Sequence, residues 1–235
     1  MATTIERITD VDTLFTVYDT ILEPSFQDDE LVTVETIIDN VRHGVDDVFV
    51  AFEDDAPAAL TLGHWYPEPK VALLGYLAVR PGVRGAGLGG AVLRHYIEHW
   101  STVGGAELVL AEAERPDVHP ADPDHGDPEA RLRFYARHGA RALALPHFVP
   151  ALRPDSAPVW GFLLMTLYVA KAARGSSPDS VDCGRVRDFL SSYLDDDHGP
   201  AAHLLMYEAG RAADIPSLPL SDYAQIPAAR GLGRT

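Results

Sequence analysis

Arg80-Pro81-Gly82-Val83-Arg84-Gly85-Ala86-Gly87-Leu88-Gly89-Gly90 decides the fold. The residues before it, 71–79, are apolar enough for a buried strand. After it, Leu88, Val92, Leu93, Tyr96, Ile97 and Trp100 fall on one side of a helix. The glycines therefore join a strand to a helix N-terminus, where backbone N–H groups converge with few Cβ atoms in the way. Such a turn cradles an anion, and Arg84 adds a positive charge at its rim.

Other readings of the same glycines compete. A Walker loop fails, because no Lys-Ser or Lys-Thr follows them. Gly85-x-Gly87-x-x-Gly90 does satisfy the dinucleotide fingerprint, and Glu112 lies near the place of a ribose-binding acid. Against that reading, residues 80–84 separate the strand from the first Gly. The strand is also the third of a meander, where a dinucleotide fold would begin a parallel sheet. A glycine turn with no ligand is the plain alternative.

Outward from this centre, residues 5–8 read as a strand, and 14–22 and 32–41 carry helical spacing. Residues 48–52, 58–65 and 71–79 are strands with connections short enough to require antiparallel neighbours. Beyond the central helix come a strand at 108–111, a Pro/Asp/His loop at 115–127 and a helix at 129–138. Strands are expected at 142–149 and 160–169. Past Gly175, Val186, Phe189, Leu190, Tyr193 and Leu194 form an amphipathic stripe, a second helix is expected at 201–213, and 215–235 reads as an extended tail.

Composition narrows the function. The chain has 235 residues, with 19 Lys and Arg against 35 Asp and Glu, for a formal charge of −16. That charge repels nucleic acid and anionic membranes, so neither is an expected partner, while a cationic substrate suits it. Cys183 is the only cysteine, which rules out an internal disulfide and a thiolate zinc cage. A reducing cytoplasm is the expected compartment. Residues 1–10 lack the layout of a signal peptide, and no apolar run reaches the ~20 residues needed to cross a bilayer.

Two motifs together carry a resemblance. Arg84-Gly85-Ala86-Gly87-Leu88-Gly89 matches the Q/R-x-x-G-x-G/A element of the GCN5-related N-acetyltransferase (GNAT) family, and Arg133-Phe134-Tyr135-Ala136-Arg137-His138-Gly139-Ala140 is similar to that family's FYxxxGF segment. The likeness covers about residues 4–170. It implies an α/β fold with a mixed, mostly antiparallel, splayed sheet flanked by helices, here followed by a C-terminal helical extension. The expected division is a transferase domain at 1–172 and an extension at 173–235 packed on it, either covering the sheet, exchanging with a second copy in a homodimer or narrowing the cleft.

The same resemblance implies acetyl-CoA as cofactor, with Arg84, Gly85, Ala86, Gly87, Leu88, Gly89 and Gly90 at its pyrophosphate. The backbone of Leu77, Ala78 and Val79 would run along the pantetheine arm, and an N–H near Ala78 would polarise the thioester carbonyl. Tyr135 is then the acid that protonates the departing thiolate. Two positions depart from the family pattern: Pro128 replaces a frequent Asn, and Ala140 replaces the usual aromatic.

Attack on a thioester needs a neutral amine, so a base is also required. Glu112 and Glu114 lie two apart at the end of an apolar strand and share a face. Glu112 is the deeper and the first candidate. Glu114 and a water relay stay open beside it. His64, Trp65 and Tyr66 are expected to line the acceptor pocket. His119, Asp122, Asp124, His125 and Asp127 sit in a Pro-broken loop unlike a zinc site, so no metal is expected, and the loop reads as an acidic lid. The expected function is acetyl transfer to a primary amine of a small cationic metabolite or antibiotic. The alternatives are a non-catalytic acyl-CoA sensor and an NAD-type enzyme.

Overall fold

The computed structural model describes residues 3–27, 30–83, 87–122, 126–153, 156–194 and 199–229. Its sheet opens with β1 (Thr3–Ile8), β2 (Asp46–Glu53), β3 (Ala56–Tyr66) and β4 (Val71–Val79), each antiparallel to the one before. The tight turns between β2, β3 and β4 permit no other pairing. The glycine segment then leads into α3 (Leu88–Thr102), which crosses back to β5 (Leu108–Glu114), and β4 with β5 is the parallel pair. β8 (Val159–Val169) pairs antiparallel with β5 on its other edge.

Helices cover both faces. On one side, α1 (Val11–Val17), a π-helical turn over Tyr18–Leu22 and α2 (Val34–Arg42) bury Leu14, Ile21, Ile37 and Val41 against Val48, Val50, Leu60 and Leu62 of the sheet. Asp10 and Thr33 cap the two helices by accepting from Thr13 N and Thr36 N. On the other side, α3 and α4 (Pro128–Arg137) bury Leu93, Tyr96, Trp100, Leu132 and Tyr135 against Phe49, Leu74, Val109 and Ala111. β5 alternates between the two faces, with Val109 and Ala111 in the α3–α4 core and Leu108 and Leu110 in a further core on the opposite face.

Two stretches differ from the sequence expectation. Residues 142–149 form two short strands, β6 (Arg141–Leu143) and β7 (His147–Val149), both pairing with β8. Pro146 in the break has no N–H to give a ladder. The C-terminal part holds strands as well as helices: β9 (Ser180–Asp182) and β10 (Asp214–Pro219) flank α5 (Cys183–Leu194) and α6 (Gly199–Ala209). β10 pairs with β6 on one edge and β9 on the other. Prolines 216 and 219 hid this strand, because proline is disfavoured inside a ladder. The predicted stripe is buried, with Val186, Phe189, Leu190 and Leu194 packed on Val71, Leu73, Leu108 and Leu110. Each such side chain contributes about 1.5–3 kcal/mol when fully withdrawn from water.

Candidate active site

The cleft begins where two strands part. β4 and β5 pair from Val71↔Leu108 to Leu74↔Ala111 and then separate. Beyond that point β4 keeps its bonds to β3 as far as Val79, and β5 keeps its bonds to β8 as far as Glu114. Gly75 is the extra residue of a bulge, since Leu62 pairs with Tyr76 and Gly63 with Leu74. A bulge bends its strand and raises the local twist. The edge of β4 from Tyr76 to Val79 that faces β5 is thereby left without a strand partner. A cavity of about 250 Å³ runs through the gap.

The end of β4 leads to the helix start. Gly87 caps α3 at φ +79°, in the left-handed region glycine tolerates, and the first bond of the helix runs from Ala91 N to Gly87 O at 3.0 Å. The N–H groups of Leu88, Gly89 and Gly90 therefore have no acceptor inside the helix. Gly89 lies close to Val79, whose Cγ2 would be 3.1 Å from an added Cβ. Gly90 is buried, and an added Cβ would lie 3.0 Å from His138 Nε2. Leu88 packs beside Ala51, Ala58 and Ala59. Leu77 lines the cavity, whereas the side chain of Ala78 is turned to the α1–α2 core. Arg84, Gly85 and Ala86 fall outside the described residues.

Tyr135 reaches the cavity from α4 and is 5% exposed. Burial pushes its phenol up to about 12, against a smaller opposing effect of the Arg131 charge, so the proton is firmly held at neutral pH. Pro128 opens α4 behind the cap Asp127, whose side chain accepts from Glu129 N. Ala140 is buried in the core beneath α4.

From the opposite face come the acids. Glu112 Oε1 accepts from His147 Nε2 at 2.5 Å and from the Tyr193 hydroxyl at 2.6 Å. His147 is fully buried, and its Nδ1 has no hydrogen-bond partner among the described residues. The Tyr193 phenol lies well above its ordinary range, chiefly from burial and then from the Glu112 charge, so it remains a donor. Glu114 accepts from Arg131 NH1 at 2.6 Å. The sequence expectation had neither His147 nor Tyr193 at the site. Tyr193 was visible only as one member of an apolar stripe, and His147 as part of a strand.

His64 and Tyr66 line the same cavity, but Trp65 does not. Strand alternation sends it to the other face, where it stacks on Trp100 at 4.6 Å between centroids. In the 115–127 loop, His119 Nε2 bonds the Trp160 carbonyl at 2.7 Å, its Nδ1 lies 3.6 Å from Glu114, and Asp122 bridges Gly126 through the backbone. Asp124 and His125 lie outside the described residues. Among the described residues no three His, Cys, Asp or Glu side chains gather as metal ligands, and no helix is long and apolar enough to cross a membrane.

Residues 11–140 match the model of the acetyltransferase (GNAT) family. The chain belongs to the GNAT family. GNAT enzymes use acetyl-CoA, and the splayed mixed sheet seen here is that of GNAT folds. A GNAT-family protein of Bacteroides thetaiotaomicron is similar in structure, with 19% identity, a TM-score of 0.59 and coverage of 81% of this chain and 95% of that one. The ribosomal-protein-S18-alanine N-acetyltransferase of Escherichia coli has 18% identity and a TM-score of 0.52, covering 75% of this chain and 98% of that one. The PaiA N-acetyltransferase of Thermoplasma acidophilum, solved in complex with coenzyme A, has 12% identity and a TM-score of 0.52, covering 71% and 98%. At these identities the likeness speaks for the shared GNAT fold. No curated protein gives a significant match.

Proposed function

We propose that this chain moves an acetyl group from acetyl-CoA to the primary amine of a small cationic molecule, by direct attack while both are bound. The observation that carries the reading is the cavity through the strand gap, which Tyr135 enters from one face of the sheet and Glu112 from the other. Glu30, Asp46, Glu112 and Glu114 on the cavity wall supply negative charge, and Phe26, Tyr66 and Tyr76 supply aromatic faces. That wall suits an ammonium attached to a compact, partly apolar body.

The residues present fit the cofactor. Acetyl-CoA supplies an acyl group activated as a thioester. The open edge of β4 from Leu77 through Val79 offers backbone hydrogen bonds to an extended amide chain, and the N–H groups of Leu88, Gly89 and Gly90 are aimed as helix-start donors suited to a diphosphate. Arg84, Gly85 and Ala86 complete that cradle in this reading. Tyr135 delivers a proton to the departing sulfur. Glu112, held by two donors, anchors the ammonium, and Glu114 adds charge at the rim beside Arg131. Residues 1–172 form the transferase unit, and 173–235 form an extension that completes the cleft by carrying Tyr193 to Glu112.

A CoA-release assay across a library of primary amines, run with several acyl-CoAs, tests the reading. Turnover should favour acetyl-CoA and monocationic amines, and Glu112→Gln should raise the amine KM. Binding of NAD with no binding of coenzyme A by calorimetry would overturn it.

A further inference from the structure

His64 stands directly opposite Asp46 in the β2–β3 ladder, and its Nδ1 lies 2.8 Å from Asp46 Oδ1. Asn40 Nδ2, from α2, donates to the other carboxylate oxygen at 3.0 Å. Asp46 is only 4% exposed, so the dyad's inner half is fixed in the core, while the imidazole side chain is 36% exposed at the cavity wall. A carboxylate accepts hydrogen bonds. The proton of a neutral ring therefore sits on Nδ1, and the lone pair sits on Nε2. Nε2 has no hydrogen-bond partner among the described residues.

The carboxylates of the cleft are differently placed. Glu112 Oε1 already takes two donors, and Glu114 is held by Arg131. Both suit the holding of a positive charge. Among the described residues lining the cavity, only His64 combines a nitrogen lone pair, access to the cavity and an orienting acid behind it, which is the arrangement by which a base is positioned.

We propose that His64 Nε2 takes the proton from the acceptor amine, with Asp46 and Asn40 as positioning residues and Glu112 as the anchor. This rests on the acetyl-transfer reading above, and it moves the role of base from the glutamates to the imidazole. The protons balance as follows. His64 takes one proton from the ammonium and frees the nitrogen lone pair, which forms the C–N bond. The C–S bond breaks with its electron pair on sulfur, and Tyr135 protonates the thiolate. The second proton lost by the nitrogen restores the Tyr135 phenol, so one proton is released overall, from His64. The other titratable groups lining the cavity around His64 are Asp46 from β2, Tyr66 from its own strand, Tyr76 from β4, Glu112 and Glu114 from β5, Arg131 and Tyr135 from α4, Tyr193 from α5, and Glu30 from the segment before α2.

The test has two parts. Nitrogen-15 NMR of the free, histidine-labelled protein should show His64 as the Nδ1–H tautomer, with its signal assigned by its loss in His64→Gln and its preference weakened in Asp46→Asn. In kinetics, His64→Gln should lower kcat about 10²- to 10⁴-fold, leave the acetyl-CoA KM within about twofold, and flatten the acidic limb of the kcat profile. Added imidazole should restore turnover to His64→Ala. Thermal unfolding and calorimetry with coenzyme A verify that each variant is folded. An Nε2–H tautomer, or an active wild type beside an unimpaired His64→Gln, overturns the role of His64 alone. A wild type that releases no CoA with any amine overturns the acetyl-transfer reading and this role with it.

Discussion

Tyr193, on a helix of the last quarter of the chain, donates its hydroxyl to Glu112 in the middle of the cleft at 2.6 Å. Its ring also stacks on Phe189 at 5.3 Å and lies parallel to His147 at 6.0 Å. The C-terminal segment therefore reaches the cleft as well as packing on the sheet. Tyr193→Phe keeps both ring contacts and removes one bond to a charged acceptor, worth about 1.5–3 kcal/mol. We expect kcat/KM for the amine to fall roughly 10- to 100-fold, with coenzyme A affinity by calorimetry unchanged.

In the proposed reaction, Tyr135→Phe separates the proton donor from its ring. Packing in the α4 core is retained, and we expect kcat to fall about 10- to 100-fold while the KM for acetyl-CoA holds. The acid works only while protonated, so activity dependent on it is lost as pH rises through its folded value of about 12. Between pH 7 and 10 the wild-type rate should show no descending limb from this group.

Stability should fall on the alkaline side. Burial is the leading cause of a raised phenol in Tyr66, Tyr76, Tyr96, Tyr135 and Tyr193. A raised folded value means that the native state holds the proton after the unfolded chain has released it. The contribution to stability is thus complete below the unfolded value near 10 and declines as pH rises above it. Each group adds up to about 1.4 kcal/mol per pH unit to that decline. Urea unfolding at pH 8, 9, 10 and 11 should give a constant free energy at first and then a steepening loss.

Gly63 exists to make room for Tyr96. A Cβ there would lie 1.9 Å from the Tyr96 hydroxyl oxygen and 2.7 Å from the Leu73 carbonyl oxygen. Neither can retreat, one being the tip of a fully buried ring and the other part of the β4 backbone. Gly63→Ala should cost on the order of 3 kcal/mol, read as a lower denaturant midpoint with an unchanged m-value. Gly44→Ala, at φ +71° with open space around it, should cost less, from backbone strain alone.

Arg115 ties down the C-terminal tail. It is 2% exposed, donates to the Ile226 carbonyl at 2.7 Å, forks onto Asp117 at 3.0 and 2.9 Å, and lies over the Tyr223 ring. A lysine has the charge without the fork. Arg115→Lys should lower stability by about 2 kcal/mol and make the peptide bonds near residue 226 sensitive to limited proteolysis.

The fold was legible from two kinds of pattern. Glycines at 82–90 set between a buried strand and a one-sided helix fixed the strand-to-helix turn. Short breaks between residues 48 and 79 fixed the meander. Glu112 was legible because alternation at a strand end puts its side chain on a defined face. Local pattern could not reveal its partners, since His147 is 35 residues away and Tyr193 is 81. Asp46 and His64, 18 apart, meet only because two strands align in one register. Trp65 was misplaced because an aromatic cluster was taken as a unit, when successive strand residues face opposite ways. β10 was missed because its prolines mask a strand pattern.

The order of synthesis gives β10 one more consequence. Residues 214–219 bridge β6 and β9, so β9 cannot join the sheet until they have left the ribosome. At about 5–20 residues per second, Glu112 waits some 4 to 16 s for the Tyr193 hydroxyl, made 81 residues later. The nascent chain holds its acidic cleft unfinished over that interval.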